Sequence, residues 1–561
     1  MTLFSRAGVH TRMLHNGGMR ILILALAAVT AFGQAAGPER LDLSTVHRIK
    51  EEAFDRSKVM ETLAGITDLN GPRLTGSPEF QQAADWAMAR LKDYGVENVR
   101  PEKWGPFGRS WSLKEYAVEM IAPRYSNMTA APLAWTASTN GPVTADVVYA
   151  PFTPGRFAAG KQFDAALDKY RQEWSGKLRG KIVLTTAPKP VPGRTKPEFR
   201  RYTDAELSEL AVAPEPRAHP NVTELNIPED PDAALEYVIS LPWSMIEKLI
   251  VQLEDQTVRR NQFYADEGVA AVLRSDDRAR TGLVFAEQAG AVKAKSPLAP
   301  ATFTVTQEQY DRMVRLVEGK TPVKVRVNLK AEASAGDVDA FNITGEIPGG
   351  AKRDEIVMVG AHFDSWHTGT GATDNGAGSA VMMEVMRILK ALNLKMDRTV
   401  RIGLWSGEEE GLLGSEAYVK EHFGDPETMK LTAAHGKLAG YFNLDNGSGK
   451  IRGVYLQGND AMRPVFEHWL EPFADLGAKT ISIRDTGGTD HLSFDAVGLP
   501  GFQFIQDPLD YSTVTHHSDM DVYDRAVPAD LMQAAAVIAS MVYNTATRPE
   551  MLPRKSLPKR P

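Results

Sequence analysis

No cysteine occurs anywhere in the 561 residues. That absence excludes disulfides and thiolate ligation of zinc. It also removes the usual signature of an oxidising compartment, so localisation has to be read from the N-terminus. Long apolar runs are missing as well. Beyond the first 33 residues no segment approaches the roughly eighteen apolar residues of a spanning helix, so the mature chain should have no stable membrane span. Nor does one sign of charge dominate. A total of 64 Lys and Arg against 71 Asp and Glu leaves a net charge of −7, and mixed signs argue against nucleic acid as a partner.

What is present begins with a leader. Arg12 and Arg20 precede ILILALAAVTAF, a short apolar run that ends in Ala31-Phe32-Gly33. This is the pattern of a bacterial export signal, too short for a comfortable span, and it predicts a periplasmic or secreted protein. The start could be Met1, Met13 or Met19, since the segment from Met19 is a complete leader by itself. The remaining length exceeds what one core normally fills, so two domains are expected.

The most informative stretch runs from Ile356 to Ser415. Three apolar runs in it end in clusters of His, Asp or Glu: IVMVGAHFDS, then GTGATDNGAGSAVMMEV, then RTVRIGLWSGEEEGLLGS. Asp445 follows the apolar LAGYFNL, and His517 lies in TVTHHSDMD. Taken singly, each has a bland reading: a lone buried histidine satisfied in a core, or Glu408-Glu409-Glu410 as a solvated charged face. Taken together and in order, they place carboxylates and imidazoles at the ends of buried strands, which is unfavourable unless a cation collects them. Zinc accepts both donor types, and one zinc usually takes three or four protein ligands. Five ligands (His362, Asp374, Glu409, Asp445 and His517), one of them a bridging carboxylate, suit two Zn2+ ions about 3.5–4 Å apart.

These motifs resemble those of the secreted co-catalytic zinc exopeptidases, the aminopeptidase family that includes plasma glutamate carboxypeptidase. The resemblance is carried by His362-Phe363-Asp364, Asp374-Asn375-Gly376, Glu408-Glu409-Glu410-Gly411-Leu412-Leu413-Gly414-Ser415, Asp445 and His517-Ser518, and covers roughly Phe341 to Asn544. It implies that Asp374 bridges the two ions, that His362 and Asp445 complete one site, and that Glu409 and His517 complete the other. Glu408 would be the general base, moving a proton from water to the leaving amine. Asp364 would accept a hydrogen bond from the other nitrogen of His362 and so fix its tautomer. His516 competes with its neighbour for the last ligand position, and the His-Ser step favours His517. Asp490 and His491, in GGTDHLSF, are open between contacting substrate and filling a glycine-rich turn. His367 reads as a loop histidine bonded to backbone, and Glu410 as solvated.

Alternation of strand and helix predicts an α/β fold, a mainly parallel sheet with helices on both faces, its ligands at the carboxyl ends of the strands. The face made by Met382, Met383 and Met386 reads as core. Between about 130 and 330 the chain changes to short β-like runs, and SGKLRGKIVL with a later Tyr310-containing helix resembles an inserted β-rich protease-associated domain. Within it, Lys189–Asp232 is rich in proline and charge and reads as a surface insertion. Ala233–Leu253 reads as a helical segment interrupted near Pro242. The expected organisation is therefore a signal peptide at 1–33, an N-terminal part of the peptidase domain at 34–129 and a protease-associated-like insertion at 130–330. The catalytic domain follows at 331–548, with a tail at 549–561. The expected activity is exopeptidase action on short peptides, release of N-terminal residues being favoured because carboxylates such as Glu408, Asp364 and Asp490 attract an α-ammonium. A carboxypeptidase or dipeptidase, a glutaminyl-cyclase-like acyltransferase and a non-catalytic binding ectodomain are the alternatives.

Overall fold

The computed structural model describes residues 41–558 except 155–157, 159, 191–196, 217–223, 229–236, 239–240, 242, 277 and 279–281. The expected leader, part of the proline-rich insertion and the approach to Pro242 lie outside the described residues. No helix among the described residues is long and apolar enough to cross a membrane.

Four parallel strands form the centre of the sheet. Their spatial order is Arg398–Trp405, Lys352–His362, Leu438–Asn443 and Gly501–Gln506. Their side chains alternate between two cores, as a pleated strand requires. Val357, Val359 and Ala361 enter the larger one, beneath helices Ala377–Ala391 and Pro528–Thr547. Met358 enters the other, with Trp405, Tyr418, Tyr441 and Phe494, beneath helices Leu413–His422 and His491–Asp495. A strand buried on both faces reads as a continuous apolar run, which is how Ile356–Ala361 reads. Met382, Met383 and Met386 are fully buried in the larger core, as their helical spacing predicts.

Chain reversal occurs between the first and third of these strands: the chain passes from Lys352–His362 to one neighbour and then crosses to the other. Ligands of open α/β sheets gather outside the carboxyl ends of the strands at such a switch point. Register sharpens this. His362 lies opposite Trp405, and Asn443 lies opposite Gly360. Asp445, two residues beyond Asn443, therefore falls level with His362.

An outer helix, Pro78–Asp93, completes the larger core. Ser77 caps it by accepting from the Phe80 amide at 3.0 Å, Pro78 occupies the first turn, and Arg90 and Lys92 sit in the last.

The segment between 130 and 330 adds short strands to the same sheet. Val143–Tyr149, Ile182–Leu184, Ala271–Arg274 and Thr302–Val305 run parallel, with Ala130–Pro132 antiparallel at the edge. They enclose a separate core around Val147, Leu184, Leu273, Phe303 and Tyr310. Its helices Lys161–Trp174, Trp243–Glu267 and Gln307–Glu318 are longer than these strands, so much of the segment outside its sheet is helical. The helix read from Ala233–Leu253 is described from Trp243 and continues to Glu267. The strand Lys324–Ile347 joins the halves, pairing with Val143–Tyr149 through its first part and with Arg398–Trp405 through its last. Chain continuity thus runs straight through position 331, where composition suggests a division.

Candidate metal centre

His362 is the last residue of its strand and is buried. Its Nδ1 lies 3.1 Å from the backbone carbonyl of Asp364. Its Nε2 faces three carboxylates: Asp374 Oδ1 at 3.3 Å, Asp445 Oδ1 at 3.4 Å and Glu408 Oε2 at 3.9 Å. A second cluster stands beside the first. His517 Nε2 lies 3.2 Å from Asp374 Oδ2 and 3.0 Å from Glu409 Oε2. The two oxygens of Asp374 thus divide between the clusters, one to each histidine.

Local folding explains how one short turn delivers Asp374. Residues Ala372–Gly376 form a single irregular turn ahead of helix Ala377–Ala391, with Asp374 and Asn375 outside helical geometry. Asn375 Oδ1 accepts from the Gly378 amide at 3.0 Å and its Nδ2 donates to Leu444 O at 2.9 Å. Asn375 therefore does the capping, and the Asp374 carboxylate stays free. Only glycine fits at 378, where a Cβ would stand 2.3 Å from Leu444 O.

The donor set fits divalent cations. Buried His362 Nε2, Asp374 Oδ2, Glu409 Oε1 and Asp445 Oδ1 have no hydrogen-bond partner. Buried polar atoms are normally paired, so unpaired atoms of this kind beside two histidines suit cations. The donors that lie within 4.8 Å of one another are His362, Asp374 and Asp445 at one point and Asp374, His516 and His517 at the other. Electrostatics agree. Burial pushes Glu408 well above the usual carboxylate range, and burial with the charge of Asp374 pushes Glu409 up to about 7. Burial alone would depress both histidines, yet Glu408 and Asp445 hold His362, and Glu409 and Asp374 hold His517, well above their usual value. A cation at each point would return the carboxylates to their ionised state and release the imidazole protons.

His516 comes near the second point, with Nε2 3.8 Å from Asp374 Oδ2 and its ring stacked on His517 at 3.8 Å. It is 41% exposed, whereas His517 is 17% exposed and also meets Glu409. His517 has φ of 60°, a left-handed conformation uncommon for a residue with a side chain and characteristic of functional positions.

Several expectations change in detail. The Asp364 carboxylate is 3.5 Å from His362 Nδ1, farther than its own backbone carbonyl. Its Oδ2 instead accepts from Thr75 Oγ1 at 2.8 Å and from the Glu409 amide at 3.3 Å, so it holds the turn that presents the two glutamates. Glu410 is not solvated: its carboxylate oxygens are buried, and burial with the nearby charge of Asp364 drives its pKa well upward. Asp490 is buried within the field of His362 and Asp445, its pKa raised by burial to about 7. His491 turns away and bonds to Thr486 O at 3.0 Å. His367 bonds to Pro132 O at 2.8 Å, as a loop histidine should.

Sequence reasoning missed four supporting residues. Asp521 accepts from the Thr373 amide at 2.6 Å and the Asp374 amide at 3.2 Å, which fixes the shared carboxylate. Its only hint is its place in HHSDMD. Buried Arg73 donates to Phe363 O at 2.6 Å, Thr370 O at 2.9 Å and Gly371 O at 2.9 Å, tying the His362 loop to the Asp374 turn. Burial lowers its pKa to about 10, so it stays charged at neutral pH. Glu287 reaches His517 Nδ1 at 2.6 Å, and Arg278 pairs with Glu287 at 2.7 Å. Both come from the segment between 130 and 330, and nothing in their neighbourhood marks them.

Residues 342–542 match peptidase family M28. That stretch holds every candidate metal donor and is similar to the metal-dependent peptidases of the family. Carboxypeptidase Q of Mus musculus is 25% identical over 500 residues, 89% of this chain and 88% of its own. Aminopeptidase YwaD of Bacillus subtilis strain 168 is 30% identical over 213 residues, 37% of this chain and 44% of its own. Among solved structures, a peptidase M28 precursor from Shewanella amazonensis SB2B superposes with a TM-score of 0.62 at 23% identity, covering 92% of this chain and 98% of that one. BSAP, a zinc aminopeptidase from Bacillus subtilis, gives a TM-score of 0.52 at 18% identity, covering 87% of this chain and 94% of that one. The M28 neighbours share the mainly parallel sheet flanked by helices.

Proposed function

We propose that this chain is an M28 peptidase, an exported two-zinc exopeptidase that releases N-terminal residues from short peptides. The division of the Asp374 oxygens between His362 with Asp445 and His517 with Glu409 is the observation that carries the two-zinc reading. Zinc at these points would polarise the scissile carbonyl and make water a competent nucleophile near neutral pH. Glu408 supplies the proton transfer. Its Oε2 stands on the His362 side, held there by the Asp364–Thr75 arrangement around the glutamate turn. From there the carboxylate takes a proton from the attacking water and returns it to the leaving nitrogen. Asp521 and Arg73 keep the Asp374 turn and the His362 loop fixed while this happens. Export rests on the leader at 1–33, and the segment at 130–330 is assigned as the inserted protease-associated-like domain.

Polarity follows from charge. An α-carboxylate would need a placed cation. Among the described residues of the long insertion, both arginines are engaged elsewhere: Arg201 with Asp507 and Asp530 at 2.8 and 2.7 Å, Arg200 with Glu206 at 2.8 Å. The buried carboxyl of Asp490, whose pKa burial raises to about 7 within the field of His362 and Asp445, is instead a group that an ammonium would ionise and pair with. The second reading is a carboxypeptidase or dipeptidase. It is favoured by Arg278, whose guanidinium comes within 3.4 Å of His517 Nδ1, and by the near full-length similarity to Carboxypeptidase Q. A free dipeptide, its N-acetyl form and its C-terminal amide separate the readings. Release from the amide but not from the acetylated peptide supports an aminopeptidase, the reverse makes it a carboxypeptidase, and a need for both free ends makes it a dipeptidase.

A further inference from the structure

Both histidines of the centre use Nε2 toward the carboxylates, so each must place its Nδ1 proton on an acceptor. For His362 that acceptor is local, the Asp364 carbonyl at 3.1 Å. For His517 the nearest acceptor comes from 230 residues away in sequence: Glu287 Oε1, at 2.6 Å. Arg278 Nη1 also lies 3.4 Å from this nitrogen, but Nδ1–H and a guanidinium are both donors, so only the carboxylate can take the proton.

The segment carrying Glu287 is fixed against the His517 loop. Phe285 bridges Ser518, the Val284 amide donates to Asp519 Oδ1 at 3.0 Å, and the Asp519 amide donates to Val284 O at 3.0 Å. Thr368 Oγ1, from the His362 side, donates to Ala286 O at 3.0 Å. On its other flank the Ala134 amide donates to Glu287 O at 2.9 Å, which ties the segment into the 130–330 region. Arg278 steadies the carboxylate and is itself held by Asp276 at 2.9 Å. Glu287 is thus part of a backbone-registered seam and not a side chain that happens to swing near.

We propose that Glu287 is the positioning residue of the second zinc site: it orients His517 and strengthens its Nε2 as a donor, so that the 130–330 segment completes one of the two sites while the other is complete without it. The inference rests on the two-zinc reading above. A carboxylate acceptor increases imidazole basicity more than a carbonyl does, and loss of such a partner typically weakens metal binding by about 10–100-fold.

The test titrates the metal-stripped full-length chain with zinc against a competing chromophoric chelator, and with cobalt followed by its visible absorption. Glu287→Ala should weaken one of two ions by about 10–100-fold, change the cobalt spectrum of that site alone, and leave the melting temperature of the metal-free protein where it was. Glu287→Gln keeps the shape and an acceptor oxygen, and should recover part of the loss. Wild-type affinity at both sites in Glu287→Ala, equal weakening of both sites, or a Glu287→Gln variant no better than Glu287→Ala would overturn the proposal. If the unmutated protein binds fewer than two zinc ions, the two-zinc reading itself fails and the inference falls with it; two ions bound with Glu287→Ala unaffected removes the inference alone.

Discussion

His362 ends a buried central strand, finds its Nδ1 acceptor two residues away and lies level with Asp445 through sheet register. His517 sits in a loop, in a left-handed conformation, and finds its acceptor in a distant segment. One half of the centre is therefore built from local sequence and sheet geometry, the other from long-range packing. Asp374 belongs to both. The difference predicts unequal vulnerability, and substitutions placed on either side can expose it.

The largest expected effect comes from the shared residue. Asp374→Ala should abolish tight binding of both ions, whereas His517→Ala should spare the ion held by His362 and Asp445; metal analysis after gel filtration distinguishes the two. Next comes the base. Glu408→Gln should lower kcat by roughly 10²–10⁴-fold while retaining zinc, whereas Glu409→Gln should weaken zinc. If the Glu408 variant loses metal and its neighbour keeps it, the two roles are exchanged.

Acid should act on both halves. The surrounding carboxylates hold His362 and His517 above the ordinary histidine value in the metal-free site. Protons therefore begin to compete with zinc above pH 6.5, and zinc affinity should fall as pH is lowered from neutral. Chelator competition at several pH values measures this, and an affinity independent of pH between 5 and 7.5 would contradict it.

Smaller effects concern the scaffold. Arg73→Met leaves several buried carbonyls unpaired on the His362 side and should reduce stability by about 3–5 kcal/mol. Arg201→Met frees Asp507 and Asp530 beside the strand that leads to His517, but Asp507 keeps Arg452 at 2.9 Å, so about 1 kcal/mol is expected. Urea unfolding of the metal-free proteins ranks them, and a larger loss for Arg201→Met would reverse the comparison.

The same asymmetry explains what was legible in the sequence. Strand ends declare themselves, because an apolar run that stops at His362, Glu408 or Asp445 shows both burial and chemistry in a few residues. Asp374 was legible through its Asp-Asn-Gly turn, and His517 through its motif. The parallel sheet followed from alternation of strand and helix. Glu287, Arg278 and Asp521 were not legible, since nothing local distinguishes a carboxylate that orients a ligand from one that is solvated. Glu410 shows the same limit in reverse. It reads as part of a charged run, yet the turn fixed by Thr75 and Asp364 buries its carboxylate. Arg73 was hidden because a buried arginine that binds backbone carbonyls leaves no pattern in its neighbours.

Diffraction from zinc-loaded crystals at energies on either side of the zinc absorption edge tests the central claim most directly. Two anomalous peaks about 3.5–4 Å apart are expected, one among His362, Asp374 and Asp445, the other among Asp374, Glu409 and His517. A single peak, or a second peak held by His516 with His517 turned away, would contradict it.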